Sequence, residues 1–251
     1  MTRRNPLAII VYAPALVDND GRSLTIVQGM ERAFPGLRLE WRLSKEGQPL
    51  PLPQRDAWLR EETRKGRLPL VCNGDERLPV MISGLQILAS QAPGGQPMLD
   101  VHAELPLDET VLGVSVNVLE GVAEGAQAFW GHATPFRAGV EISRQTIDPV
   151  HKPGIPPRGL PALKFAVKIG APEIPQRLGW INYWSPAAAH AIGFPDPTRD
   201  AELLSRARRT ATGGWLVQLT EAPLDLDNPA HLDALLRAYE RFPAIGGRAR
   251  P

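Results

Sequence analysis

Proline sets the first limit on this chain. It lacks a backbone N–H and its ring clashes with the preceding helical turn, so no helix runs through it without a kink. There are 26 prolines among 251 residues, about twice ordinary usage. Most stand between periodic segments, and five fall in the sixteen residues Thr146–Pro161. The elements between them must be short, and the connections read as rigid loop walls rather than a disordered tail.

The segments between the prolines mix two periodicities. Leu7–Tyr12 is apolar on both alternating faces, which predicts a strand buried on both sides. Asp18–Gly21 reads as a turn. Ser23 is expected to cap a helix with Leu24, Val27, Met30 and Phe34 inward, stopped by Pro35-Gly36. Leu37–Leu43 alternates as a half-exposed strand, and Gln54–Lys65 reads as a short helix. Leu68–Cys72 and Leu78–Ser83 form an expected hairpin across Asn73–Glu76. Met98–Leu105 is a strand with Leu99, Val101, Ala103 and Leu105 inward. Asp108 should cap a helix reaching Trp130 and ended by Gly131. Gly113, Gly121 and Gly125 inside it each cost about 1 kcal/mol relative to Ala, and read as points of close approach to the sheet.

Beyond Ala133 the chain turns irregular, with Val140–Ile142 as a short strand. Pro186–Ile192 reads as a helix ended by Gly193. Asp196 should cap the next, with Arg206, Arg208 and Arg209 near its end: a solvated helix end or, alternatively, a small anion site. Gly214–Thr220 is a strand. Asn228-Pro229 opens a last helix with Leu232, Leu235, Leu236 and Tyr239 inward, and Gly246-Gly247 reads as frayed. The fold class is therefore α+β: a mixed, mostly antiparallel sheet flanked by helices. Residues 1–251 read as a single domain, within which halves 1–131 and 159–251 can be joined by a proline-rich connection 132–158.

Charge and cysteine usage narrow the function classes. With 28 basic and 27 acidic residues, net charge +1, no field of one sign exists to hold nucleic acid or a membrane surface. One cysteine, Cys72, excludes an internal disulfide and points to a reducing compartment. No apolar run approaches the roughly 20 residues that span a bilayer, so a cytoplasmic protein is expected.

No nucleophile elbow, P-loop or dinucleotide fingerprint is present. The five histidines His102, His132, His151, His190 and His231 lack ligand spacing, so no metal or cofactor is expected. Asp18-Asn19-Asp20-Gly21 opens like a calcium loop but lacks the closing Glu. Two features remain. Glu221, Asp225 and Asp227 form an acidic stretch before the last helix, which reads as a loop, an acidic rim for a basic partner, or a carboxylate pair for metal or acid–base work, although the sequence places no third ligand. Trp180, Tyr183, Trp184 and Trp215 read as core aromatics, one or two of which can serve as exposed interface anchors.

The second half also carries phrases in a recognisable order. They are Gly159–Leu163, Leu178–Ser185, Ile192–Pro195 and Gly213–Leu219, followed by Pro223 and Asp227-Asn228. This resembles the C-terminal pattern of bacterial immunity proteins of the immunity protein 52 and type VI immunity group. The whole chain also resembles an uncharacterised bacterial family sharing Phe129–Pro135 and Thr146–Pro149. The resemblance implies a cytoplasmic binding protein, without catalysis of its own, that neutralises a cognate toxin, commonly a nuclease. A nuclease cleft is basic because it attracts phosphate, and carboxylates can mimic that phosphate. The expected contact residues are therefore Glu221, Asp225 and Asp227 with an exposed member of Trp180, Tyr183 and Trp184. The alternative is a hydrolase-like enzyme using Asp225 or Asp227 with a histidine.

Overall fold

A computed structural model describes residues 5–18, 20–147 and 154–248. Asn19 of the expected turn and residues 148–153 of the proline-rich run, His151 among them, lie outside the described residues. The chain divides into two compact units: Met1–Ile87 with Pro97–Gly131, and Leu88–Gln96 with His132–Pro251.

The first unit contains β1 (Leu7–Pro14), α1 (Arg22–Ala33), β2 (Trp41–Leu43), β3 (Pro49–Pro51), α2 (Arg55–Thr63), β4 (Leu68–Cys72), β5 (Met81–Ile87), β6 (Met98–Leu105) and α3 (Glu109–Ala126). Its strands lie in the order β3-β2-β4-β5-β6-β1 and pair antiparallel. β1 and β6 run in full register from Leu7 opposite Leu105 to Pro14 opposite Met98. β6 behaves as its alternation requires: Leu99, Val101, Ala103 and Leu105 are buried while His102 and Glu104 are exposed. β1 departs from expectation. Leu7, Ile9, Val11 and Ala13 are fully buried, but the residues between them are only half-buried.

α1 also starts earlier than expected. Gly21 is its N-cap, and Ser23 lies inside the first turn, buried with Ile26, Val27 and Met30. The reason is Asp20, whose carboxylate accepts the Arg22 backbone N–H at 2.9 Å and so takes the capping role. Arg22 then donates to the carbonyls of Ala15 at 2.6 Å and Ala126 at 3.2 Å, closing the C-terminal end of α3. A cation there matches the helix dipole. Burial alone would raise the Asp20 pKa, but its bonds to Arg22 outweigh that and lower it.

Two of the three expected glycines of α3, Gly121 and Gly125, do mark a close approach, but to α1 and not to the sheet. A Cβ on Gly121 would sit 2.4 Å from the Gly29 carbonyl oxygen, and one on Gly29 would sit 2.1 Å from that of Gly121. A Cβ on Gly125 would meet the Thr25 carbonyl at 2.6 Å, whereas Gly113 faces open space. α3 ends at Gln127, in the left-handed region at φ 54°, and not at Gly131. The Ala128 N–H returns to the Ala123 carbonyl at 2.9 Å, a Schellman-type stop that frees Trp130 to begin a strand. The Leu37–Leu43 strand shrinks to β2, because only Trp41–Leu43 finds partners. The hairpin resumes at Met81 and not at Leu78: Asn73 bonds Leu78 and Val80 across a longer loop.

The chain enters the second unit within β7 (Trp130–Pro135) and continues through α4 (Phe136–Ser143), β8 (Ile181–Trp184), α5 (Pro186–Ile192), α6 (Ala201–Ser205), β9 (Ala207–Arg209), β10 (Trp215–Gln218) and α7 (Pro229–Arg241). The strand order is β7-β8-β10-β9, with β8–β10 and β9–β10 antiparallel. The expected connection 132–158 thus holds a strand and a helix in its first half, and Val140–Ile142 is helical. Three alternating residues are too few to distinguish the two periods.

The core of this unit is aromatic. Trp184 meets Phe194 and Phe242 edge-on at 5.1 and 5.3 Å, and Phe194 meets Trp215 at 5.3 Å. Tyr239 lies in the same interior, where its hydroxyl accepts from the Leu178 N–H and Gln145 Nε2, each at 3.1 Å. Burial pushes its pKa up. α5 begins at Ser185, whose hydroxyl caps the Ala188 N–H, and ends at left-handed Gly193. α6 is shorter than expected: the Asp196 carboxylate closes a turn on the N–H groups of Thr198 and Arg199, and the helix starts after Asp200. Arg208 and Arg209 consequently lie on β9. Gly246 is buried and not frayed, because it donates to Pro175 and accepts from Lys164, each at 2.9 Å. Among the described residues no helix is long and apolar enough to cross a membrane.

Candidate partner-binding face

The acidic loop between β10 and α7 is locally determined. Leu224 and Leu226 are buried, so the alternating residues Asp225 and Asp227 face out. Asp225 Oδ1 accepts the Asp227 N–H at 3.0 Å, and the Asp225 N–H donates to His231 Nδ1 at 3.1 Å. Asn228 then caps α7 by accepting the Ala230 N–H at 3.0 Å. Asx turns and caps of this kind fix a loop through short polar side chains.

Asp227 is not a free carboxylate. Arg137 Nη2 and Arg158 Nη2 each donate to it at 2.6 Å. Arg158 also donates to the Leu226 carbonyl at 2.8 Å and pairs with Glu141 on α4. One chain of alternating charge, Arg137–Asp227–Arg158–Glu141, therefore clips α4 to the loop. The bond from Arg158, and then the charge of Arg137, hold the Asp227 carboxyl below its ordinary range. The carboxylates of Glu141 and then Asp227 raise the Arg158 pKa. Arg158 reaches both from a backbone in the left-handed region, φ 56°.

α4 presents more than charge. Phe136 and Val140, one turn apart, are 48% and 36% exposed. Residues four apart share a helix face, and Arg137 and Glu141 form the adjacent stripe. The result is an apolar pair bordered by a fixed ionic clip. Glu221 and Asp225 are exposed on the same loop as Asp227.

The expected aromatic anchors are not on this face. Trp180, Tyr183 and Trp184 are at most 3% exposed. β8 is buried along its whole length, and Trp180 donates its indole N–H to the Thr220 carbonyl at 2.8 Å. All three are core: Tyr183 and Trp184 lie on a strand packed on both faces, which has no outward side for a large ring, and Trp180 is buried just before it. The expected acidic rim keeps Glu221 and Asp225 but loses Asp227 to its arginines. The same pairing works against acid–base chemistry here. A carboxylate held ionised between two guanidinium groups is a weak proton acceptor, and His231 Nδ1 is already occupied by a backbone N–H. Among the described residues no group of three or more His, Cys, Asp or Glu is placed to hold a metal.

The residues missed in the sequence are Phe136, Arg137, Val140, Glu141 and Arg158. The i, i+4 pairs Phe136/Val140 and Arg137/Glu141 were available as a helical signal. Arg158, in an aperiodic run, carried none.

Residues 18–250 match the model of the domain of unknown function DUF5953. The chain belongs to the DUF5953 family. No curated protein matches this DUF5953 chain. Its fold is similar to that of a solved structure described as Pseudomonas aeruginosa T6SS protein PA0821. The TM-score is 0.52 at 18% identity, over 94% of this chain and 76% of that one.

Proposed function

We propose that this DUF5953 protein is an immunity-type binding protein that neutralises a cognate bacterial toxin by covering its active site. The observation that carries the reading is the outer face of α4, where Phe136 and Val140 stand exposed beside the clip made by Arg137, Asp227, Arg158 and Glu141. Interface cores combine apolar anchors with a polar rim that is already ordered. Glu221 and Asp225 supply an acidic edge, which suits a basic toxin surface such as a nuclease cleft. The T6SS designation of the structural neighbour and the phrases shared with type VI immunity proteins support a type VI setting.

A stable interface buries about 1,600 Å² in total, so the face must extend beyond α4 and the loop. The test is co-expression with the product of the reading frame directly upstream of this gene. Wild type is expected to co-purify with that product and protect the cell. The double variant Phe136→Asp/Val140→Asp is expected to do neither, while unfolding at the same temperature. Protection by the double variant equal to that of wild type would refute the site.

A further inference from the structure

A second feature of the same unit is independent of that face. A groove of about 150 Å³ lies between α6 and α7. Arg199, Arg206, Arg237 and Arg241 all line it, with Glu202 as the one carboxylate among them. Their placement has local causes. Arg237 and Arg241 are one turn apart on α7, Arg206 follows α6 directly, and Arg199 leaves the turn held by Asp196. Like charges do not converge by default, so what balances each one matters.

Arg241 is fully committed: it bonds the buried Asp200 at 2.6 and 2.9 Å and the Gly193 carbonyl at 2.7 Å. It forms a rigid wall. Arg206 is anchored by the carbonyls of Gln218 at 3.3 Å and Leu219 at 3.1 Å, and reaches Glu202 at 3.1 Å. Arg237 pairs with Asp233 on its own helix and stands 3.9 Å from the same Glu202 oxygen. Glu202 is 63% exposed on a single turn of helix, so its carboxylate is the movable member of the set. It marks where an incoming oxyanion would sit. The floor is apolar: Leu203 and Leu219 line it, and Ala234 and Ala238 keep it open.

We propose that this groove binds a small phosphate monoester, with Glu202 as the group its phosphate displaces. Arginine forks suit phosphate because several donors can meet three oxygens of one group at once. A carboxylate offers only two, and Glu202 already supplies that arrangement. The apolar floor takes the carbon body, which bare phosphate lacks.

Calorimetric titration of the full chain with phenyl phosphate, inorganic phosphate and benzoate tests this. Phenyl phosphate is expected to bind more tightly than either of the others. Arg199→Ala/Arg237→Ala, at two exposed positions, is expected to weaken it by at least about tenfold. Glu202→Gln is expected to strengthen it, whereas Glu46→Gln, the same charge change in the other unit, leaves it unchanged. No binding of phenyl phosphate by wild type would overturn the proposal, as would an unchanged affinity in the double arginine variant. Equal strengthening by both glutamine variants would also overturn it, because it would show a response to net charge alone. Toxin protection by the double arginine variant is expected to match wild type, which keeps this result separate from the fate of the α4 face.

Discussion

The two units fasten a helix in opposite ways. In the first, α1 meets α3 backbone to backbone, with no side chain between Gly29 and Gly121. In the second, α4 is tied to the acidic loop by four charged side chains at the surface. The first contact depends on the absence of a methyl group and has nothing to titrate. The second tolerates shape changes but depends on charge, and it leaves the outer side of its helix uncovered. Exposed phenylalanine is found only in the second unit among the described residues: Phe136 and Phe165. A fastening that works from the flank leaves a face available for a partner, whereas one that works through the backbone consumes the face.

The sharpest way to break this contrast is at Gly121. Gly121→Val puts a branched side chain where a Cβ alone would already lie 2.4 Å from the Gly29 carbonyl. Overpacking a rigid contact of this kind is expected to cost about 3 kcal/mol, read by urea unfolding. A loss under about 0.5 kcal/mol, the level of an ordinary surface substitution, would mean the helices part easily. Gly113→Ala on the same helix is the converse. Its Cβ would meet nothing within 4 Å, and replacing a helical glycine by alanine is expected to add about 1 kcal/mol.

The smallest effect is expected at the clip. Asp227→Asn should lower the unfolding temperature slightly at low salt, with the difference from wild type vanishing as salt screens exposed pairs. It should also vanish with acid. The folded pKa of Asp227 is lowered from 3.8, so the charge contributes above the unfolded value and is lost as pH falls through the lower folded one. Stability curves for wild type and variant should therefore begin to approach one another as pH falls below about 4 and coincide only below the lowered folded pKa. A gap that persisted there would assign the effect to something other than charge.

Much of the fold was legible in the sequence where a residue type has one physical use. The alternation of β6, the stop of α5 at Gly193, and the Asn228-Pro229 start of α7 are local signals, and the structure follows them. Gly113, Gly121 and Gly125 read as a close approach to the sheet, but the partner of Gly121 and Gly125 is α1, distant in the chain, which no local pattern names, and Gly113 meets nothing. The candidate face was less legible. Asp227 looked like a free acid because the arginines that neutralise it are 90 and 69 residues distant. Trp180, Tyr183 and Trp184 read as core, with one or two as exposed anchors, because large aromatics serve both. Only the placement of Tyr183 and Trp184 on β8, buried along its whole length, and of Trp180 buried just before it, decides between the two.

The central claim is that the uncovered side of α4 is where this protein grips a toxin. The most direct measurement is the affinity of the purified chain for the product of the reading frame directly upstream of its gene, compared with Phe136→Asp/Val140→Asp. Measurable binding by wild type and at least about a hundredfold loss in the double variant, the scale expected when two central anchors are removed, is the predicted result, with both proteins equally stable. Equal affinity in the two would contradict it.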